Sequence, residues 1–221
     1  MADPVPLHRG PAATHAGDAP RRLRNEALAD VRRQSVLDAA RSAFFELGMD
    51  KTSMREIARR AGYTVGAIYS YFASKEDVYG ALLAESLERL NGCVQAALAG
   101  VADDAERVRC SARAFFDFYR DNPRDLDLGF YLFQGMKPRG LTPELNDALN
   151  RRLRDALNPT EHALRGSGLG PEQALAEVTA LFAHIVGLLV LSHTGRIRMF
   201  HQASQDLFEA YLGQLVGRMG A

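Results

Sequence analysis

Apolar residues recur along most of this chain at intervals of three and four, the period of an α-helix with one buried face. Val36, Ala40, Ala43, Phe44 and Leu47 set out a first helix, which Gly48 stops. Val78, Leu82, Leu83, Leu87, Leu90, Val94 and Leu98 predict a long one. Val108, Ala112, Phe115, Phe116 and Tyr119 predict another that ends before Asn122 and Pro123. Pro123, Pro143 and Pro171 stand where new helices begin, a place proline tolerates because its missing N–H has no helical partner there anyway. Thr142 is the expected cap of the helix carrying Leu145, Leu149, Leu153 and Leu157. The last two helices, near Glu172–His193 and Ala203–Met219, are the most apolar, and Leu207, Phe208, Tyr211, Leu212, Leu215, Val216 and Met219 form a stripe wide enough for two neighbours. No stretch alternates with period two, so the chain is expected to be all-α.

The segment from Thr52 to Lys75 reads TSMREIARRAGYTVGAIYSYFASK. Ser53 precedes Glu56 by three, the spacing of a capping box that opens a short helix. Ala61–Gly62 closes it, because glycine takes the left-handed conformation without a Cβ penalty. Thr64 then caps a second short helix, expected over Val65 to Phe72. Two helices joined by about three residues containing Gly make a helix-turn-helix. Small Ala58 sits where the pair must approach closely, while Ile57 and Ile68 face a shared core. A helical hairpin in any α-protein has similar caps; the hydroxyls of Tyr69, Ser70 and Tyr71, with Lys75 just after Ser74, favour DNA because they suit phosphate oxygens.

These residues resemble the TetR family of transcriptional regulators (TetR/AcrR type), over Val31 to Leu83 and above all in TSMREIARRAG and YSYFASKEDVY. The resemblance implies an all-α homodimer with a three-helix DNA-binding domain followed by a roughly six-helix ligand-binding and dimerisation domain. On this chain that gives a disordered tail over 1–25, a DNA-binding domain over 26–75 and a C-terminal domain over 76–221. Carried over by position, Thr52, Thr64, Tyr69, Tyr71 and Lys75 become phosphate contacts, and Val65, Gly66 and Ala67 enter the major groove; Ser53, Arg55 and Ser70 complete the candidate set. Val65 departs from the family, which often has Lys there, and Tyr71 stands where His or Tyr is usual. Without that cation a guanine or phosphate interaction is missing, and valine instead suits a thymine methyl.

Charge sharpens this division. The chain has 27 basic and 27 acidic residues, so it is neutral overall. Yet eleven basic and six acidic residues lie between Arg21 and Lys75, which leaves the remainder mildly acidic. Met1 to Pro20, rich in Ala, Pro and Gly, lacks the hydrophobes to offset its ordering entropy. Arg21, Arg22, Arg24, Arg32 and Arg33 follow it and read equally as a phosphate-reaching stretch or a solvated helix start. Cys93 and Cys110 form no CxxC pair, and their expected role is as small buried hydrophobes in a reducing compartment. With no secretory signal at the start, and an apolar run Ala180 to Leu191 too short for a bilayer, the expected location is the cytoplasm.

The C-terminal part carries Phe115, Phe116, Phe118, Tyr119, Phe130, Tyr131, Phe133 and Met136 on two neighbouring predicted helices. The resemblance sets them near the family's ligand cavity, although such a cluster also reads as packed core. The candidate ligand-binding residues are Phe115, Phe116, Tyr119, Phe130, Tyr131 and Phe133, with Arg113 and His184 for polar contacts, and the expected effector is a small apolar or aromatic molecule. A dimer interface is expected from Leu181, Ile185, Leu188 and Leu189 on one helix and Leu207, Phe208, Tyr211, Leu212 and Leu215 on the next. No cofactor or metal is expected: His184 and His193 are nine apart and point to different sides of one helix. Gly166, Gly168 and Gly170 follow no strand and make a turn rather than a phosphate loop. No catalytic set stands out. The reading is a ligand-released repressor on a palindromic operator; an activator or ligand-independent regulator of the same fold, and a helical carrier or enzyme, remain the alternatives.

Overall fold

The computed structural model of the protein describes residues 18–130 and 141–219 and is all-helical among them. The first helix, α1, runs from Asp18 to Leu47 and so begins within the stretch 1–25 expected as a tail. Its first half is rich in Arg, Ala and Leu, residues that favour a helix with little help from burial. Only from Val36 onward does α1 bury a face, through Val36, Leu37, Ala40, Ala43 and Phe44. Residues 1–17 lie outside the described residues.

Two short helices follow: α2 (Met54–Ala61) packs on α1, and α3 (Val65–Tyr69) packs on α2. Ile57 and Ile68 are completely buried between them. Gly62 closes α2 at φ +74°, and Thr64 accepts the Ala67 N–H to open α3. α3 stops at Tyr69, three residues before the expected end, because Phe72 turns inward and is buried.

The long α4 (Lys75–Ala97) leaves this unit and crosses into a bundle with α5 (Asp104–Asp121), α6 (Pro123–Gly129) and α7 (Pro143–Gly166). α8 (Pro171–His193), a 3-10 turn (Arg196–Phe200) and α9 (Ser204–Gly217) close it. α7 continues through buried Pro159, which forfeits one helical hydrogen bond; the leucine spacing alone did not reveal it. Cys93 is exposed and Cys110 half-buried, contrary to the expectation that both are buried.

The apolar helix α8 is longer than the run Ala180 to Leu191 suggested, and its length and composition alone would let it cross a membrane. In this fold it packs on α5, α7, α9 and the 3-10 turn. Only 33% of its apolar window is buried, so it keeps an uncovered apolar side.

Candidate nucleic-acid interface

The interface begins with what holds α2 and α3 apart from the solvent side. Ser53 accepts the Glu56 N–H, which is half of the expected capping box. The carboxylate does not return to Ser53; it accepts hydrogen bonds from Arg59 and Arg60, and these hold Glu56 at about 2, well below the usual carboxylate range. Arg60 also reaches Glu46 at 2.9 Å and Ser42 at 3.0 Å on α1, so it ties α2 to α1. Two of the cations nearest the motif are thereby neutralised inside the protein.

Thr52, expected to touch phosphate, is 2% exposed, and its hydroxyl donates to the carbonyls of Gly48 at 2.7 Å and Ala43 at 3.2 Å. That removes it from the candidate contacts: it locks the end of α1 to the start of α2. Lys75 is half-buried, with Nζ donating to Met49 O at 2.8 Å and Thr52 O at 3.3 Å. A cation in the first turn of α4 opposes the helix dipole, and these carbonyls offset the cost without a phosphate. The ammonium's third donor is left for an outside acceptor.

The remaining expected residues fall on one side of the unit. Ser53, Arg55, Val65, Tyr69 and Lys75 line one open cleft of about 580 Å³, together with Asp50, Lys51, Thr52 and Met54. Lys51 was missed by the sequence reasoning, although it stands directly before Thr52. Tyr69 is 53% exposed. Thr64, Gly66 and Ser70 are exposed as well, with the Thr64 oxygen engaged in capping and the Ser70 hydroxyl donating to Ala67 O. Val65, Ala67 and Tyr71 are half-buried, and Val65 and Tyr71 lean against the core.

Gly66 is informative. A Cβ built there would meet nothing within 4 Å, so no packing inside the protein requires glycine. Its backbone is not left-handed either, and glycine weakens a helix relative to alanine. What it provides is an uncovered backbone beside Tyr69 on which another molecule can press closely.

The candidate ligand residues do not form one site. Phe115, Tyr119 and Phe130 join Phe182 in a ring cluster, with centroids 5.3 to 6.0 Å apart. Phe182 was absent from the sequence reasoning, since it lies on α8 far along the chain. Phe116 faces elsewhere and stacks on Phe208 of α9 at 4.3 Å. Arg113 pairs with Glu209, and His184 stacks on Tyr211 at 4.3 Å. Tyr131 and Phe133 lie outside the described residues. A cleft of about 220 Å³ between α7 and α8, lined by Leu153, Leu157, Val178 and Phe182 with Asn150 and Arg154 at its polar side, reaches the cluster through Phe182.

The expected dimer residues are mostly interior. Leu181, Ile185, Leu188, Leu189, Phe208, Leu212 and Leu215 are buried within the single chain, and only Leu207 and Tyr211 are partly open. The periodicity identified the apolar stripe correctly but could not tell which neighbour covers it. The outward positions include several small residues, Ala180, Ala183 and Gly187 on α8 and Ala210, Gly213 and Gly217 on α9, beside larger ones such as Leu175 and Gln214.

α6 connects the two halves. Arg124 lies 4.8 Å from the Phe45 ring of α1, Asp125 pairs with Arg89 of α4 at 2.5 Å, and the Leu128 carbonyl accepts the buried Tyr79 hydroxyl of α4. Phe130, the C-cap of α6, belongs to the aromatic cluster.

A capped helix pair with one exposed helix face above a cleft holding basic side chains, joined to an all-α body, defines a helix-turn-helix DNA-binding regulator. Residues 36–82 match the model of bacterial regulatory proteins of the tetR family, and residues 108–215 match the tetracyclin repressor-like C-terminal domain. The chain belongs to the TetR family of transcriptional regulators.

Among curated relatives, it is 36% identical over 101 residues to the HTH-type transcriptional activator FasR of Mycolicibacterium smegmatis, an alignment covering 46% of each chain. The chain thus spans about half the length of the relatives it matches. Among solved structures, the regulatory protein SCO4313 superposes with a TM-score of 0.70 at 22% identity, over 89% of this chain and 98% of that one. The transcriptional regulator FadR of Bacillus subtilis, solved in complex with stearoyl-CoA, gives 0.64 at 21% identity over 85% and 98%.

Proposed function

We propose that this protein is a cytoplasmic homodimeric repressor that binds a palindromic operator and is released by a small ligand with a large apolar part. The observation that carries the DNA side is Gly66: an exposed glycine with no internal reason, at the start of α3, flanked by Val65 and half-open Tyr69 above a cleft holding Lys51, Arg55 and Lys75. Val65, Gly66 and Ala67 meet base edges, while Ser53, Arg55, Thr64, Tyr69, Ser70, Tyr71 and Lys75 are assigned to the backbone. The homodimer forms through the small-residue faces of α8 and α9, where alanine and glycine let two pairs of helices approach closely around a two-fold axis.

The effector reading rests on the α7–α8 cleft, whose apolar wall ends on Phe182, and on the stearoyl-CoA held by the FadR neighbour. A ligand that presses Phe182 and Phe130 displaces α6, and α6 holds both α1 and α4. A 100-fold preference for the displaced state corresponds to about 2.7 kcal/mol, enough to empty an operator held near its dissociation constant. An activator has its own support, since the M. smegmatis relative carries that name.

The test is selection of duplexes from a random pool, followed by titration of the bound complex with stearoyl-CoA. The expected result is a palindromic consensus and release on titration, with operator DNA weakening ligand affinity by the same factor. Absence of any preferred duplex overturns the DNA reading, and equal ligand affinity with and without operator overturns ligand release. Transcription from a template carrying the selected site decides the sign.

A further inference from the structure

Upstream of Val36, α1 continues as helix from Asp18 to Ser35, a length of about 26 Å at 1.5 Å per residue. The tetR-family match begins at residue 36, where α1 first becomes buried, so this arm precedes the matched DNA-binding unit. Almost none of it is covered: Leu23 and Val31 are each 67% exposed. A helix that buries nothing is marginal on its own in water, so a partner is expected to contribute to its stability.

The charges indicate which partner. Arg21, Arg22, Arg24 and Arg32 are exposed and, among the described residues, have no ion-pair partner; Glu26 and Asp30 are the acidic residues between them. Arg33 fixes the base of the arm, with its guanidinium 5.3 Å from the ring centroid of Phe72, three residues beyond the end of α3, and 3.9 Å from Glu85. Arg22 and Arg33 continue the helix line of Ala40, and Arg32 lies one turn before Val36. Arg22, Arg32 and Arg33 are therefore on the side where α1 meets the DNA-binding unit, Arg21 is at its edge, and Arg24 falls on the opposite side beside Val31. Leu23, Ala27 and Val31, at i, i+4 and i+8, turn away from it. From Arg33 back to Arg21 the basic surface extends about 18 Å past the end of the recognition helix.

We infer that this arm is a second DNA-contacting element, which lies along the phosphate backbone beside the half-site met by α3 and adds affinity without base preference. The inference rests on the proposed operator binding. Its arginines act as backbone contacts, releasing counterions from the duplex and lengthening the footprint, whereas the α3 face determines where the protein sits.

The experiment compares the full chain with a variant carrying Arg21→Gln, Arg22→Gln and Arg32→Gln, on the selected duplex and on a random one. Glutamine keeps helix propensity, so helicity and melting are expected to match the unaltered chain. Affinity is expected to fall by the same factor on both duplexes. The slope of log affinity against log salt becomes shallower by about 2 to 3, since each phosphate no longer neutralised removes roughly 0.9 from it. Hydroxyl-radical protection shrinks at the flank and persists at the half-site centre. An unchanged slope and footprint overturns the arm's role and leaves the helix-turn-helix reading standing. Failure of the unaltered chain to bind any duplex removes both. A Leu23→Ser, Val31→Ser variant is expected to sediment as the unaltered chain does; loss of mass there identifies the arm as a self-association surface and overturns the inference.

Discussion

Tyr69 on α3 and Phe116 on α5 are both large aromatic residues on helices singled out for function, yet the first stands half in solvent while the second is sealed against Phe208. The N-terminal unit is small, and its core is filled by Ile57, Ile68 and Phe72, so the outward positions of α3 carry side chains that have nothing to pack on within the chain. In the C-terminal bundle α5 has α4, α6, α7, α8 and α9 as neighbours and leaves only a strip through Glu106, Arg113 and Arg120 in solvent. There an aromatic residue finds another ring before it finds a ligand. Exposed aromatic and glycine positions on a well-filled unit are thus a stronger sign of recognition than aromatic abundance in a bundle, where burial accounts for the same residues.

This contrast predicts how substitutions in the two halves divide between stability and binding. The largest effect belongs to Phe208→Ala, which empties a fully buried ring site facing Phe116 and is expected to cost about 3–5 kcal/mol. Urea unfolding measures it as a fall in midpoint with little change in slope. A loss below about 1 kcal/mol would mean the seam between α5 and α9 tolerates a cavity and behaves more like a binding site than a core.

A middle effect is expected for Thr52→Val, which keeps shape but removes a buried hydroxyl bonded to Gly48 and Ala43. Losing the hydroxyl's hydrogen bonds costs about 1 kcal/mol in the same unfolding experiment, since the Gly48 carbonyl keeps the Thr52 N–H. Its salt dependence of DNA binding, measured where the variant is folded, should equal that of the unaltered chain. A shallower slope would restore Thr52 to the phosphate contacts.

Smallest in stability, and sharpest for the comparison, is Gly66→Ala. The added methyl meets no protein atom, and the helix gains up to about 0.5 kcal/mol because alanine loses less backbone freedom. Operator affinity is expected to drop at least tenfold as the methyl intrudes between α3 and the duplex, read by fluorescence anisotropy. An unaltered affinity would show that the glycine does not mark close approach.

How much was legible beforehand follows from how far apart the interacting residues lie. The helix-turn-helix was readable because its signals are local: the Ser53 and Thr64 caps each act on an amide three residues away, and Gly62 closes α2 through its own φ. The internal partners of Lys75 and Thr52 were not legible for the opposite reason. Met49, Gly48 and Ala43 sit at the end of another helix, and a polar side chain that satisfies buried carbonyls looks in sequence like one that awaits phosphate. Glu56 likewise had the spacing of a capping box, but two arginines on its own helix offered the carboxylate a charged alternative.

The sequence by itself determined the helical class, the positions of the caps and prolines, and the segment that carries recognition, because 3.6-residue periodicity and end-capping are properties of neighbours along the chain. The tertiary structure alone decided which side of each apolar helix is covered. Leu212 and Leu215 turn inward, while Ala183, Gly187 and Gly213 are left outside, a choice made by the packing of α8 and α9 against α5 and α7. It also decided that the ring cluster is completed by Phe182 and that α6 grips both α1 and α4. Such contacts join residues distant along the chain, and amphipathic periodicity specifies that a face is buried without specifying against what.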